Sequence, residues 1–185
     1  MFYYRLGNVI TTQQWNRPTK EVFLEWAKEW LETYQVDYKV TFFGCCAEKF
    51  YGDCELDTWD IDIMLEGEIK DYQYLNLLLT EGTKLGYEYG LKIDIFHVNK
   101  PYNSKNWQPY EQIRFYKDMH FIKENTNNKF DFTTVADIEE LPCNLYKYKR
   151  KRKSGSYEKF KKRLKHGFYK DIRLDLKELI NENYW

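Results

Sequence analysis

Two short apolar runs of this chain, WDIDIML at 59–65 and LKIDIFHV at 91–98, are interrupted by aspartates. The alternation predicts a strand for each run, with Asp60 and Asp62 on one face of the first strand and Asp94 inside the second. An isolated carboxylate on a buried strand costs several kcal/mol to desolvate unless a partner compensates it. We therefore expect something positive to lie opposite these aspartates.

The segments around these runs predict helices and strands in a mixed order. Apolar residues recur at helical spacing in 19–34 and 71–86, whereas 37–43 is β-branched and aromatic and is closed by Gly44. The predicted order is helix, strand, turn at Gly44, strand, helix and strand. This order indicates an α+β fold in which helices pack against a mixed β-sheet. Between 101 and 144 neither period is clear.

The C-terminal part of the chain is strongly basic. Residues 145–170 contain twelve Lys and Arg side chains and one acidic side chain, an excess of eleven positive charges, and the formal net charge of the whole chain is zero. Apolar residues at helical spacing after Tyr157, and again around Leu176, predict helices in this part. We therefore divide the chain into a main domain over 1–144 and a basic, helical C-terminal segment over 145–185.

The basic segment is dense enough to bind a nucleic-acid backbone in a salt-dependent manner, with tyrosines available for base stacking. Two alternatives are a solvated tail and an arm that folds back over the acidic remainder of the protein. The candidate nucleic-acid-binding residues are Lys149, Arg150, Lys151, Arg152, Lys153, Lys161, Lys162 and Arg163.

The cysteines indicate a reducing compartment. Cys45 and Cys46 are adjacent, which is poor geometry for a disulfide framework, and no second pair stands at the spacing of a zinc site. No apolar run approaches the roughly 18 to 20 residues that span a bilayer, and the N-terminus lacks signal-peptide features. We therefore expect a soluble, cytoplasmic protein that does not associate with a membrane.

The three aspartates also predict a metal site. Residues two apart on a strand point the same way with α-carbons roughly 6.6 Å apart, so Asp60 and Asp62 can converge. If the strand of Asp94 lies beside theirs, its carboxylate joins them, and the three groups repel one another unless cations neutralise them. Hard divalent cations such as Mg²⁺ take oxygen ligands of this kind.

The order of these motifs resembles the DNA polymerase beta-like nucleotidyltransferase superfamily. The matching residues are the strand end Phe43-Gly44-Cys45, then Asp60-Ile61-Asp62-Ile63, and then Ile93-Asp94-Ile95. The resemblance covers about residues 20–98, and Cys45 stands where the superfamily has Gly or Ser. It implies a nucleotidyltransferase-like mixed sheet flanked by helices, with 1–144 as the catalytic domain.

The resemblance implies transfer of a nucleoside monophosphate from an NTP such as ATP to a hydroxyl group, with release of pyrophosphate. Asp60 and Asp62 would hold two Mg²⁺ (or Mn²⁺) ions, and Asp94 would share one of them and is a candidate acceptor of the hydroxyl proton. Backbone amides at Gly44 and Cys45 would approach the β- and γ-phosphates. Together with the basic segment, this favours a nucleic-acid acceptor, RNA first, with tRNA as one candidate.

Three other interpretations stay open at this point. The aspartates also suit exposed acids on a polar sheet face. A catalytically degenerate member of the same fold would act as a nucleic-acid-binding module. Finally, Asp62 together with Glu68-Ile69-Lys70 faintly resembles the acid and Glu-x-Lys pattern of a metal nuclease.

Overall fold

The structure is a computed structural model that describes residues 2–6, 9–13, 16–55, 59–99, 110–115, 133–152, 165 and 172–184. The strands are β1 (Phe2–Leu6), β2 (Val9–Gln13), β3 (Lys39–Phe43), β4 (Asp60–Glu66), β5 (Lys92–Val98), β6 (Tyr110–Phe115), β7 (Thr133–Leu141), β8 (Leu145–Arg152) and β9 (Arg173–Asp175). The helices are α1 (Lys20–Thr33), α2 (Gly44–Tyr51), α3 (Tyr72–Glu88) and α4 (Leu176–Tyr184).

Seven of these strands form one mixed sheet in the order β7-β8-β6-β5-β4-β3-β9, while β1 and β2 pair in a separate antiparallel sheet. Among the described ladders of the large sheet, β4 and β5 run parallel and all other neighbours run antiparallel. Parallel neighbours need a long crossover, which α3 provides between β4 and β5. The predicted α+β class, with helices against a mixed sheet, is confirmed.

The main core lies between one face of this sheet and the helices. Its helical side consists of Phe23, Trp26 and Trp30 of α1, Leu75, Leu78 and Leu79 of α3, and Leu176, Leu179 and Ile180 of α4. Its sheet side includes Val40, Phe42, Ile61, Ile63, Leu65, Ile93 and Ile95. The indole N–H groups of Trp26 and Trp30 donate to backbone carbonyls of α3 at 3.0 and 3.2 Å, which joins α1 to α3.

Helix α3 approaches β5 closely because two of its residues lack side chains. A β-carbon at Gly82 would lie 2.5 Å from Cδ1 of Ile95, and one at Gly86 would lie 2.4 Å from Cγ1 of Ile93. Interiors are packed densely enough that even one added carbon forces a shift. This contact fixes β5 against the helical layer, and Asp94 lies on the opposite face of the same strand because it alternates with those isoleucines.

The helices predicted over 19–34 and 71–86 are confirmed as α1 and α3, and the three predicted strands as β3, β4 and β5. Residues 44–51 correct the prediction, because they form helix α2 where we expected only a turn between two strands. The sequence GCCAEKFY spans only about two turns and begins with glycine, so it shows no clear helical period. Packing of buried Cys46 and Ala47 against the main core stabilises this short helix.

The prediction of a helical segment over 145–185 is wrong for residues 145–152, which form strand β8 between β6 and β7. Tyr146 and Tyr148 alternate with Lys147 and Lys149, which is the period of a strand, but the density of charge concealed it. The proposed boundary at 144 falls in the turn between two hydrogen-bonded strands of one sheet.

The rest of the C-terminal part has a mixed outcome. The helix predicted around Leu176 is confirmed as α4, and it is preceded by the short strand β9, which pairs with β3. The helix predicted after Tyr157 lies outside the described residues.

In the described ranges no helix is long and apolar enough to cross a membrane. All four cysteines carry free thiols.

Candidate functional site

The register of the two parallel strands brings the predicted aspartates together. Asp62 of β4 is the direct partner of Asp94 of β5, and Asp60 is the partner of Lys92. Partners in neighbouring strands lie about 4.8 Å apart and project from the same face, while Asp60 stands roughly 6.6 Å along the strand from Asp62. The three carboxylates therefore lie on one face of the sheet, the face away from the main core, near the amino-terminal ends of β4 and β5.

Asp60 forms an ion pair with Lys92. The Lys92 Nζ atom lies 3.1 Å from Oδ1 of Asp60, and the two side chains are 44% and 54% exposed. A pair this open to water contributes at most about 1 kcal/mol. Asp60 is therefore accessible from solvent, and its lysine partner can be displaced at little cost.

Asp94 is held by a buried arginine that the sequence analysis did not identify. Nη1 of Arg114 donates to Oδ1 of Asp94, and Nη2 donates to Oδ2 at 3.3 Å. The Arg114 side chain is 4% exposed and that of Asp94 is 34% exposed, so the pair faces solvent through the carboxylate. This two-point contact supplies a positive partner of the kind expected from the aspartates.

A chain of polar contacts supports Arg114 from behind. Its Nε donates to Oε1 of Gln112 at 3.0 Å, and the hydroxyl group of Tyr148 on β8 donates to the same oxygen at 2.7 Å. The guanidinium carbon lies 4.8 Å from the centroid of the Phe96 ring, where a cation–π contact is favourable. Gln112 and Tyr148 are both fully or almost fully buried. The chain therefore links β8, β6 and β5 inside the protein.

The glycine that starts α2 lies directly against the second aspartate. Gly44 has a φ of +83°, and a β-carbon placed on it would lie 2.3 Å from Oδ2 of Asp62. The residue before it, Phe43, is the register partner of Asp62 on β3. Phe43 is also the N-cap of α2, and its side chain makes no capping hydrogen bond. The first turn of α2 thus begins at the carboxylate site, with half-buried Cys45 as its second residue.

A second basic residue, far from Arg114 in the sequence, lies on the same face of the sheet as the carboxylates. Arg173 of β9 is the register partner of Phe43, and it is half-buried. Because partners in a ladder share a face, Arg173 lies on the side of the sheet that carries Asp62. No local pattern in the sequence indicates this position, since it depends on a pairing between residues far apart in the chain.

A small apolar cluster adjoins the carboxylates on this face. It consists of Phe43, Met64, Phe96 and Val98, which are all buried. Phe43 and Phe96 meet edge to face with ring centroids 5.8 Å apart. Apolar surroundings lower the local dielectric constant and therefore strengthen the charge interactions at the site.

The predicted nucleic-acid-binding residues are only partly described. Lys149 lies in β8 with Nζ 3.4 Å from Oδ2 of Asp137 on β7. Its neighbour Lys147 pairs with Glu139 at 3.0 Å, and this hydrogen bond raises the pKa of Lys147. Arg150, Lys151 and Arg152 complete the strand, whereas Lys153, Lys161, Lys162 and Arg163 lie outside the described residues.

The residues of the nuclease interpretation are not brought together. Glu68 lies beyond the end of β4. The last residue of that strand, Glu66, is already four strand positions, about 13 Å, from Asp62. Lys70 pairs instead with Asp37 at 2.5 Å, and that contact lowers the pKa of the Asp37 carboxyl group. The acid and Glu-x-Lys arrangement is therefore absent from this part of the described chain.

Among the described residues, no three His, Cys, Asp or Glu side chains are already gathered as a metal-binding group. Asp60 contacts Lys92 and Asp94 contacts Arg114. Comparisons of this chain with protein-family models, curated proteins and solved structures give no significant match.

Proposed function

We propose that this protein is a divalent-metal-dependent nucleotidyltransferase that moves a nucleoside monophosphate from an NTP to a hydroxyl acceptor. One observation carries the proposal: Asp62 and Asp94 are paired across parallel strands, and the glycine that begins α2 packs against Asp62. A strand end with Gly, an Asp-x-Asp strand and a third acid on the neighbouring strand are the features that resemble the polymerase beta-like superfamily.

The residues present suit a hard divalent cation. Carboxylate oxygens are the ligands that Mg²⁺ prefers, and Asp62 and Asp94 stand side by side. The lysine beside Asp60 is half exposed, so its ammonium group can return to water when a cation binds. Asp94 keeps lone pairs beyond those that accept from Arg114. Asp60, Asp62 and Asp94 would therefore hold the metal, which would supply charge neutralisation and a more acidic attacking hydroxyl.

The chain itself would position the triphosphate. The first turn of α2 begins beside Asp62, and its backbone amides and the helix dipole favour negative charge, so this turn would receive the phosphate oxygens. Arg173, on the same face and beside Phe43, is placed to provide a guanidinium group to those phosphates. Cys45 would contribute its backbone amide rather than its thiol, which is a weak hydrogen-bond donor.

The acceptor that best suits this surface is RNA. Strand β8 is separated from β5 by β6 alone, and the positions of Arg150 and Arg152 have the same parity as Tyr148, the partner of Gln112, so they fall on the face of the sheet that carries Asp94. Two strand spacings are about 10 Å, which is within the reach of one or two nucleotides. A polynucleotide backbone that runs along β8 would therefore bring a terminal hydroxyl group near Asp94.

The first test is transfer of label from each of four α-labelled NTPs into total cellular RNA and protein, with Mg²⁺ or Mn²⁺. We expect incorporation by the natural chain and a loss on the order of 10³-fold in Asp60→Asn/Asp62→Asn. Asp37→Asn is the control, since this exposed carboxylate pairs with Lys70 outside the site. Equal labelling by natural and doubly substituted chains would refute the proposal.

A second candidate function is supported by the two basic partners. Because Lys92 and Arg114 already compensate Asp60 and Asp94, the fold can keep these acids without any metal. A degenerate nucleotidyltransferase fold that only binds nucleic acid would have this arrangement. It predicts that no NTP is used and that RNA binding is unchanged in Asp60→Asn/Asp62→Asn.

A further inference from the structure

We propose that Arg114 is a positioning residue: it holds the Asp94 carboxylate beside Asp62 in the orientation that the candidate site uses. This inference rests on the proposed function and deepens it by naming a residue outside the predicted motifs. Arg114 donates to both oxygens of Asp94, and we expect it to act through this carboxylate.

The geometry of the pair determines the carboxylate's orientation. A guanidinium fork that donates to both oxygens fixes the plane of the carboxylate, whereas a single contact leaves it free to rotate. Arg114 is 4% exposed, so turning it toward water would require disruption of β6. The Lys92–Asp60 pair differs in both respects, because it is a single contact between half-exposed side chains.

The residues behind Arg114 restrict the guanidinium in turn. Oε1 of Gln112 accepts from both Arg114 and Tyr148, while Nε2 of Gln112 is buried and has no hydrogen-bond partner among the described residues. A flipped amide would point its NH₂ group at the Nε–H of Arg114, donor against donor. An orphaned buried donor costs about 1–3 kcal/mol. The structure tolerates this cost in the orientation that fixes Arg114.

The test measures binding of Mn²⁺ alone, from the electron paramagnetic resonance signal of the free ion, to the full chain. Arg114→Lys is the informative variant because it keeps the positive charge and removes the fork. Because the charge is kept, a change in Mn²⁺ affinity reports a loss of orientation of the Asp94 carboxylate and not a loss of repulsion between the guanidinium group and the metal ion. We expect Mn²⁺ affinity to fall about tenfold, as for other residues that orient a metal ligand.

A double-substitution cycle separates positioning from general stability. If Arg114 acts through Asp94, Arg114→Lys has no further effect on Mn²⁺ affinity once Asp94→Asn is present. Phe115→Leu is the control, because Phe115 lies on the same strand but faces the main core. It should lower the free energy of unfolding by about 1 kcal/mol and leave Mn²⁺ affinity unchanged. In the transfer assay, Arg114→Lys should lower kcat and leave KM for the NTP unchanged.

The outcomes distinguish the two proposals. If Asp94→Asn weakens Mn²⁺ binding but Arg114→Lys does not, the inference is wrong and the proposed function is unaffected. Additive effects of the two substitutions would also overturn it, since they would show independent action. If neither Asp62→Asn nor Asp94→Asn alters Mn²⁺ binding and no transfer occurs, the proposed function fails and the inference fails with it.

Discussion

At Gly44 the backbone has a positive φ of +83°, and its α-carbon faces the Asp62 carboxylate. Two separate demands therefore exclude a side chain here. The first is conformational, because an L-residue in the left-handed region costs about 1–2 kcal/mol. The second is steric and concerns the site, because a methyl group would displace the carboxylate. At Gly67 only the conformational demand applies: its φ is +124°, and in the described part of the chain no atom beyond its two chain neighbours lies within 4 Å of the position a β-carbon would take.

Gly44→Ala and Gly67→Ala should therefore differ in function and resemble each other in stability. We expect both to lower the free energy of unfolding by about 1–2 kcal/mol, measured by urea denaturation. Gly44→Ala alone should abolish Mn²⁺ binding and nucleotide transfer, because it displaces Asp62. Equal metal affinity in the two variants would contradict the contact between Gly44 and Asp62.

His97 makes stability depend on pH. It is fully buried, and its Nε2 donates to the carbonyl oxygen of Gly67 at 2.7 Å. Burial lowers the pKa of His97 below its ordinary value of 6.5, and the hydrogen bond with Gly67 opposes this in part. The folded state therefore favours the neutral ring.

The sign of the effect follows from proton binding. As the pH falls through 6.5, the unfolded chain takes up a proton at His97 before the folded chain does, so the free energy of unfolding decreases. The contribution is complete above that pH and is lost toward the lower pKa of the folded state. We expect a shallower decline in His97→Gln, which keeps an amide donor for Gly67. Parallel declines of the urea midpoint in the two proteins between about pH 7.5 and about pH 5.5 would contradict this account.

At the scale of elements, local patterns predict β3, β4, β5, α1 and α3 because each contains its own periodicity. The same patterns place the three aspartates on strands, but not the residues that pair with them. Arg114 alternates with Ile113 and Phe115, and this polar position within an apolar alternation is the signal that could have identified it. Its contact with Asp94 depends on the register of β6 against β5, which no local pattern determines.

The basic residues of β8 lead to a separate prediction, because this strand lies two positions from β5 in the sheet, near the candidate site. Substitution of Arg150 and Arg152 by Gln should weaken binding of single-stranded RNA and lower the slope of log K against log salt by about 1.4, from 0.7 per phosphate contact. Lys28→Gln/Lys84→Gln makes the same charge change on α1 and α3. This control should leave the slope unaltered. Equal slopes for the two double variants would show that β8 does not bind the backbone.

At the scale of the whole molecule, the C-terminal part is integral to the core. Leu176, Leu179 and Ile180 of α4 are buried, and β9 extends the sheet beside β3. Burial of three such side chains contributes about 5–9 kcal/mol, which is comparable to the entire stability of a typical domain. The hairpin of β1 and β2 differs, because it forms a sheet of its own.

Removal of the two ends should therefore have opposite results. A chain that ends at residue 171 loses β9 and α4, and we expect it to be unfolded by circular dichroism and by the absence of a cooperative urea transition. A chain that starts at residue 16 loses only β1 and β2 among the described strands, and it should unfold cooperatively. A folded 1–171 chain would contradict the contribution assigned to α4.

The pairing of β9 with β3 also has a consequence for synthesis in the cell. Until residue 175 has emerged, β3 has no partner on one side and presents an open strand edge, which can pair with other chains. At about 5–20 residues per second, the ribosome needs roughly 7–26 s to pass from β3 to β9. The strand that covers this edge of β3 is therefore translated long after β3 itself, and the nascent protein would benefit from a chaperone during that interval.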